Sequence, residues 1–234
     1  MSNLLNSLDG INVLRDLFPN NDSFVQHVLC NILFFDNGIV RHQAMQVQQR
    51  IEQGFATPVR YTSNGHFYHQ REVKKVTPSF KSKQEAVKFT KDNPLFHKET
   101  GIRICFDKDG NYYPKQAILQ YTGHRVSWGK NISTITNYII AHIWGETDNP
   151  FYFGLLWNYC LIPAPYAFLT DKNDTTNVLI KRVKDLIKAV SIELYNPNAL
   201  MNNKISVEMP LKEALTEAEH LIGEDKIRFL TTKK

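Results

Sequence analysis

Between Asn137 and Lys172 the chain reads NYIIAHIWGETDNPFYFGLLWNYCLIPAPYAFLTDK, two short apolar runs joined by a turn-rich loop, with His142 near the end of the first run and Asn158 at the start of the second. This layout constrains the local fold more than any other stretch. Ile139 to Trp144 and Tyr159 to Ile162 read as a pair of strands, Gly145 to Asn158 as the loop between them, and a helix is expected to begin near Tyr166 and pack beneath. A hairpin followed by a helix brings short polar side chains to one point. A second pattern runs through the same stretch: Ile132, Ile135, Ile139 and Ile143 recur at helical spacing, with Asn131 as a cap and Gly145 as a stop. The segment ISTITNYII is dense in β-branched residues, which favour strands, and a helix over 131–137 running into a strand over 139–144 satisfies both patterns.

Upstream, residues 3–53 read as helical. Leu14, Leu17 and Phe18 share one face, and Phe24, Val25, Val28, Leu29 and Ile32 repeat at helical spacing behind the caps Asp22 and Ser23. A third helix over Val40–Gln53 is expected to stop at Gly54. From Thr57 the pattern alternates. PVRYT and HFYHQREV around Ser63-Asn64-Gly65 predict a β-hairpin, and GIRICF with NYY across Asp107–Gly110 predict another, with a short charged helix over Lys81–Asp92 between them. Helices are also expected over Asp171–Val190 and Pro210–Leu221. A calcium loop at Asp107 is unsupported, because the twelfth position from its first Asp is Ile118 where a glutamate is required.

With 42% hydrophobic and 12% aromatic residues, 234 residues suffice for a substantial core. The longest apolar runs fall short of the roughly 20 residues that span a bilayer, and MSNLLNSLDG has no basic segment leading into an apolar one, so neither a membrane span nor a secretion signal is expected. Cys30, Cys105 and Cys160 are an odd, widely spaced set, which fits reduced thiols in the cytoplasm. A net charge of +5 and a pI near 9.0 suit a polyanionic partner such as nucleic acid.

The residues Ala141-His142-Ile143, Asn158 opening the second apolar run with 15 residues between it and His142, and Asp171 shortly after it resemble the His-Asn-His, or ββα-metal, nuclease family. The resemblance covers residues 137–172. It implies a DNA endonuclease in which His142 is the general base, Asn158 fixes the loop and orients His142, and Mg²⁺ or Mn²⁺ stabilises the pentavalent phosphate. Two positions depart from the family pattern. Ala141 stands where many members carry a metal-binding carboxylate, and Ala167 where the final His would be, so the metal ligands are expected among Asp171, Glu146 and Asp148, with Lys172 on phosphate.

The change from helical to alternating pattern predicts an α+β fold, with a helical N-terminal subdomain over 1–56, a β-hairpin-rich part over 57–130 suited to DNA recognition, and C-terminal helices within 131–234, where the resemblance implies a ββα-metal-like core. On the first hairpin, Arg60, Arg71, Lys74 and Lys75, with His66, Tyr68 and His69 at its tip, would lie along a groove as a recognition ribbon or protect an exposed strand edge. Lys181, Arg182, Lys184 and Lys188 read as a solvated helix face. The aromatic group Phe151, Tyr152, Phe153, Trp157 and Tyr159 reads as core. A restriction-type enzyme cutting a palindrome would act as a homodimer, because two-fold protein symmetry matches two-fold DNA symmetry. The alternative is a non-catalytic nucleic-acid-binding protein on a degenerate scaffold. A nuclease of the other common type, with an acid-x-Lys pair, would use Glu72-Val73-Lys74 or Glu224-Asp225-Lys226, but a convincing partner Asp is missing. No phosphate loop, dinucleotide fingerprint, nucleophile elbow or HExxH stands in the chain.

Overall fold

The computed structural model describes residues 10–62, 65–71, 74–127, 135–171, 177–208, 212–223 and 227–233. It is a mixed α+β fold. In chain order its elements are α1 (Gly10–Arg15), α2 (Asn21–Asn31), β1 (Leu33–Phe35), α3 (Asn37–Glu52), β2 (Thr57–Val59), β3 (Phe67–Arg71), β4 (Lys74–Val76), α4 (Lys83–Asp92), β5 (Leu95–His97) and β6 (Arg103–Phe106). There follow α5 (Tyr112–Thr122), β7 (Val126–Ser127), β8 (Ile135–Thr136), β9 (Tyr138–His142), β10 (Tyr159–Pro163), α6 (Phe168–Asp171), α7 (Val178–Tyr195), α8 (Pro197–Leu200), α9 (Lys212–Ile222) and β11 (Arg228–Leu230). Three sheets result, ordered β11-β1-β10-β9, β2-β6-β5-β3-β4 and β7-β8.

The hairpin of the Asn137–Lys172 stretch is present. β9 and β10 pair antiparallel from Tyr159↔His142 to Pro163↔Tyr138. No helix runs through residues 135–142, because β8 and β9 occupy them, so the isoleucine stripe serves strands; residues 128–134 lie outside the described set. A single 3-10 turn, Ala164–Tyr166, leads into α6, and α7 follows with Ile180, Val183, Leu186, Ile187 and Val190 turned inward. These side chains share the larger core with Phe24, Val28 and Phe35 from the opening stretch and with Ile140, Leu161 and Trp157 from the hairpin region. A fully buried Tyr195 ties α7 to β1: its hydroxyl donates to Phe35 O and accepts from Phe35 N, both at 2.9 Å.

Five local expectations are corrected. The opening stretch holds a strand, β1, between helices, because the apolar run Leu33-Phe34-Phe35 is placed between β10 and β11. The cap of α2 is Asn20, whose side chain accepts from Ser23 N at 2.8 Å, where Asp22 and Ser23 were expected. β2 does not pair with β3 as a hairpin. It pairs in parallel with β6, while β3 lies between β4 and β5. Alternation predicts a strand but carries nothing about its neighbour. Finally, Tyr112 and Tyr113 open α5 and form no strand, because Asp107 caps the turn: its carboxylate accepts from the N–H groups of Asp109, Gly110 and Tyr113 at 2.9, 2.5 and 2.7 Å. Arg182 is likewise no solvated cation; its guanidinium joins Asp22 of α2 at 2.6 Å to Glu217 of α9.

The five-stranded sheet has its own smaller core, built from Val59, Phe67, Leu95, Ile104 and Phe106 with Ala86 of α4. It seats against the β9–β10 loop at Gly154, where a Cβ would come within 3.3 Å of Pro58. Among the described residues no helix is long and apolar enough to cross a membrane.

Candidate functional site

The β9–β10 register places His142 at the mouth of the hairpin, directly opposite Tyr159, and puts Asn158 one residue further along. Asn158 is fully buried and acts on the loop. Its Oδ1 accepts from Trp144 N at 2.9 Å, and its Nδ2 donates to Gly145 O at 3.3 Å and Tyr152 O at 3.2 Å. Gln43 of α3, also buried, holds the other side of the loop by donating to Gly154 O at 2.8 Å and accepting from Leu156 N at 3.1 Å. The loop over residues 145–158 is therefore closed by side-chain amides. The expected contact from the Asn158 amide to His142 is not made.

What orients His142 comes from elsewhere. Its Nε2 lies 3.3 Å from Arg60 Nη2 and 3.2 Å from Asn111 Oδ1, and Arg60 Nη2 itself donates to Asn111 Oδ1 at 2.9 Å and to Gly110 O at 3.2 Å. The imidazole stacks on Phe153 at 5.5 Å and 9° and meets the edge of Tyr159 at 5.0 Å. Its Nδ1 is shielded from solvent and has no hydrogen-bond partner among the described residues. Burial against these rings, with the neighbouring Arg60 charge adding to it, lowers the His142 pKa from the ordinary 6.5 to about 3. The ring is neutral at pH 7, so one nitrogen keeps its lone pair.

That shift sets a sign for stability. Between about pH 6.5 and 3 the unfolded chain takes up a proton at residue 142 that the folded chain refuses, so the contribution of this residue to stability falls as the pH drops through this window and is constant above it. His97, lowered by burial, acts in the same direction. Urea denaturation at pH 7 and pH 5 is expected to show a smaller acid loss for His142→Gln than for the parent; equal losses would mean the ring is not held neutral.

Around His142 opens a predominantly polar cleft of about 670 Å³, lined by Arg60, His66, Glu146, Asp148, Lys184 and Lys188 among others. Arg60, Lys184 and Lys188 face two carboxylates, one of which, Asp148, is engaged by His66 Nδ1 at 2.6 Å and by the Thr62 hydroxyl at 3.4 Å. Lys188 Nζ also sits 5.4 Å from the Trp144 ring.

Of the expected metal ligands, Glu146 and Asp148 reach the cleft. Asp171 ends α6, but its side chain, like all of Lys172, lies outside the described residues. Ala141 and Thr170 line the same cleft, and no group of three His, Cys, Asp or Glu able to hold an ion stands together among the described residues. Mg²⁺ commonly takes one or two protein carboxylates and completes its shell with water and phosphate. The donor set fits an ion shared with a phosphate and does not fit a site closed by protein ligands alone.

Arg60 is thus part of the site, whereas Lys74 and Lys75 stand exposed on β4 and are not among the cleft-lining residues; the Arg71 side chain, and Glu72, Val73 and 224–226, lie outside the described residues. Asn111, Lys184, Lys188 and His66 were not anticipated at the cleft. Only Lys184 and Lys188 had a local signal: they are four residues apart, on one face of the helix that follows the motif.

The family model described as Uncharacterised protein PM1201 matches residues 35–232. No curated protein matches the chain, and no solved structure does.

Proposed function

The chain belongs to the family described as Uncharacterised protein PM1201, and from its own residues we propose that it is a DNA endonuclease of the ββα-metal class, hydrolysing phosphodiester bonds in the His142 cleft. The observation that supports this most is the juxtaposition made by the β9–β10 register: a neutral imidazole at the hairpin mouth, a buried carboxamide closing the adjoining loop, and three cations around one polar cavity. Arg60, Lys184 and Lys188 would receive the non-bridging oxygens of a phosphodiester. His142, unprotonated at neutral pH, would take the proton of the attacking water. Glu146 and Asp148, joined by Asp171, would hold Mg²⁺ or Mn²⁺, which would supply positive charge to offset the negative charge that builds up as the phosphodiester is cleaved. Lys172 would add a further phosphate contact. Restriction-type sequence specificity, action as a homodimer and a cytoplasmic location belong to the same proposal.

A second reading is favoured by Ala141 and Ala167 and by the Nε2 contacts that already occupy His142: a nucleic-acid-binding protein on a scaffold that no longer cuts. Plasmid incubated with the protein and Mg²⁺ or Mn²⁺, with and without chelator, separates the two. Discrete fragments that vanish with chelator support the endonuclease. Retarded but intact DNA supports the binder and overturns hydrolysis.

A further inference from the structure

The five-stranded sheet has two faces of opposite character. One carries the smaller core against α4. The residues between those core positions point the other way, and three of them form a cross-strand row: Tyr68 on β3 is opposite Phe96 on β5, and Phe96 is opposite Arg103 on β6. The rings of Tyr68 and Phe96 lie 5.5 Å apart at 25°, and Lys75 Nζ stands 4.6 Å from the Tyr68 ring centre. Arg103 and Lys75 are exposed, and both aromatics are partly so. None of the five strands contains a carboxylate.

A pair of accessible aromatic rings with a cation at each end needs more explanation than a solvated face does. Cations alone would suit any polyanion. The rings between them add a surface on which bases can stack, worth most for bases that are not already stacked in a duplex. At its β2 edge this face is covered, because Pro58 meets the β9–β10 loop at Gly154, so the accessible part is β5, β3 and β4 with Arg103 beside them. We infer that this open sheet face binds a single-stranded segment of nucleic acid, its unpaired bases against Tyr68 and Phe96 and its phosphates on Lys75 and Arg103. The inference rests on the endonuclease reading only in taking nucleic acid as the partner; it does not require hydrolysis.

The test is fluorescence anisotropy with the full chain, using a labelled short oligothymidylate, its oligouridylate counterpart and a duplex of equal length, at low and moderate salt. The single strand is expected to bind more tightly than the duplex, and Tyr68→Leu combined with Phe96→Leu should weaken it about tenfold or more. Lys75→Gln with Arg103→Gln, at exposed positions, should weaken binding and flatten its salt dependence. The uridylate arm tells whether RNA or DNA is preferred. Unchanged affinity for the strand in both double variants overturns the inference, as does a duplex preference that neither variant alters. A parent that cuts plasmid but ignores the strand defeats this inference alone; one that binds the strand through these residues without cutting supports it and defeats only hydrolysis.

Discussion

His142→Ala is expected to lower the rate of plasmid cleavage by about 10²–10⁴-fold, the range typical of a lost general acid–base group, while changing DNA affinity little. The asymmetry follows from the cleft. The groups suited to phosphate, Arg60, Lys184 and Lys188, remain when the imidazole is removed, whereas the ring beside Arg60 and Phe153 is the proton acceptor in the proposed reaction. Truncation also leaves space beside Phe153, so urea denaturation of the variant must accompany the kinetics; His142→Gln, which fills more of that space, should be as inactive. Cleavage surviving in both variants at more than a tenth of the parent rate would remove His142 from the chemistry. A parent that never cuts, with or without metal, returns the protein to the binding reading.

Asn158→Ala carries the largest expected loss of stability, about 3–5 kcal/mol. The side chain satisfies one backbone N–H and two carbonyls, and each polar group left unpaired in the interior costs about 1–3 kcal/mol, reduced where water can enter. Asn158→Asp keeps an acceptor for Trp144 N but removes both donors and buries a charge, so it should be at least as damaging. Urea unfolding at neutral pH reads both. A loss below about 1 kcal/mol for Asn158→Ala would mean that Gln43 alone holds the loop.

The contrast between these residues explains which parts of the site were legible. His142 and Asn158 sit at the ends of two apolar runs that pair with each other, so their proximity follows from a short-range pattern, and strands expected over 139–144 and 159–162 occur at Tyr138–His142 and Tyr159–Pro163. The mixed α+β class followed from the same change of period along the chain. Arg60 and Asn111 are another matter. Arg60 was assigned to a recognition hairpin, and it reaches His142 only because β2 pairs in parallel with β6, bringing the Asp107 turn and the first turn of α5 alongside. That pairing joins residues nearly fifty positions apart, and nothing in local alternation encodes it. The same limit hid β1, whose three apolar residues prolong a helical stripe and form a strand only because β10 and β11 flank them.

The position of Arg60 has a consequence for heat. It follows a strand of the smaller core, while His142 ends a strand of the larger one, and their contact at 3.3 Å is one of several polar contacts across the junction, with Asn111 to His142 and His66 and Thr62 to Asp148. The smaller core counts few buried side chains, so it is the part that should loosen first on warming. In the endonuclease reading, cleavage would then cease at a temperature where most helical signal still persists, and cooling would restore it.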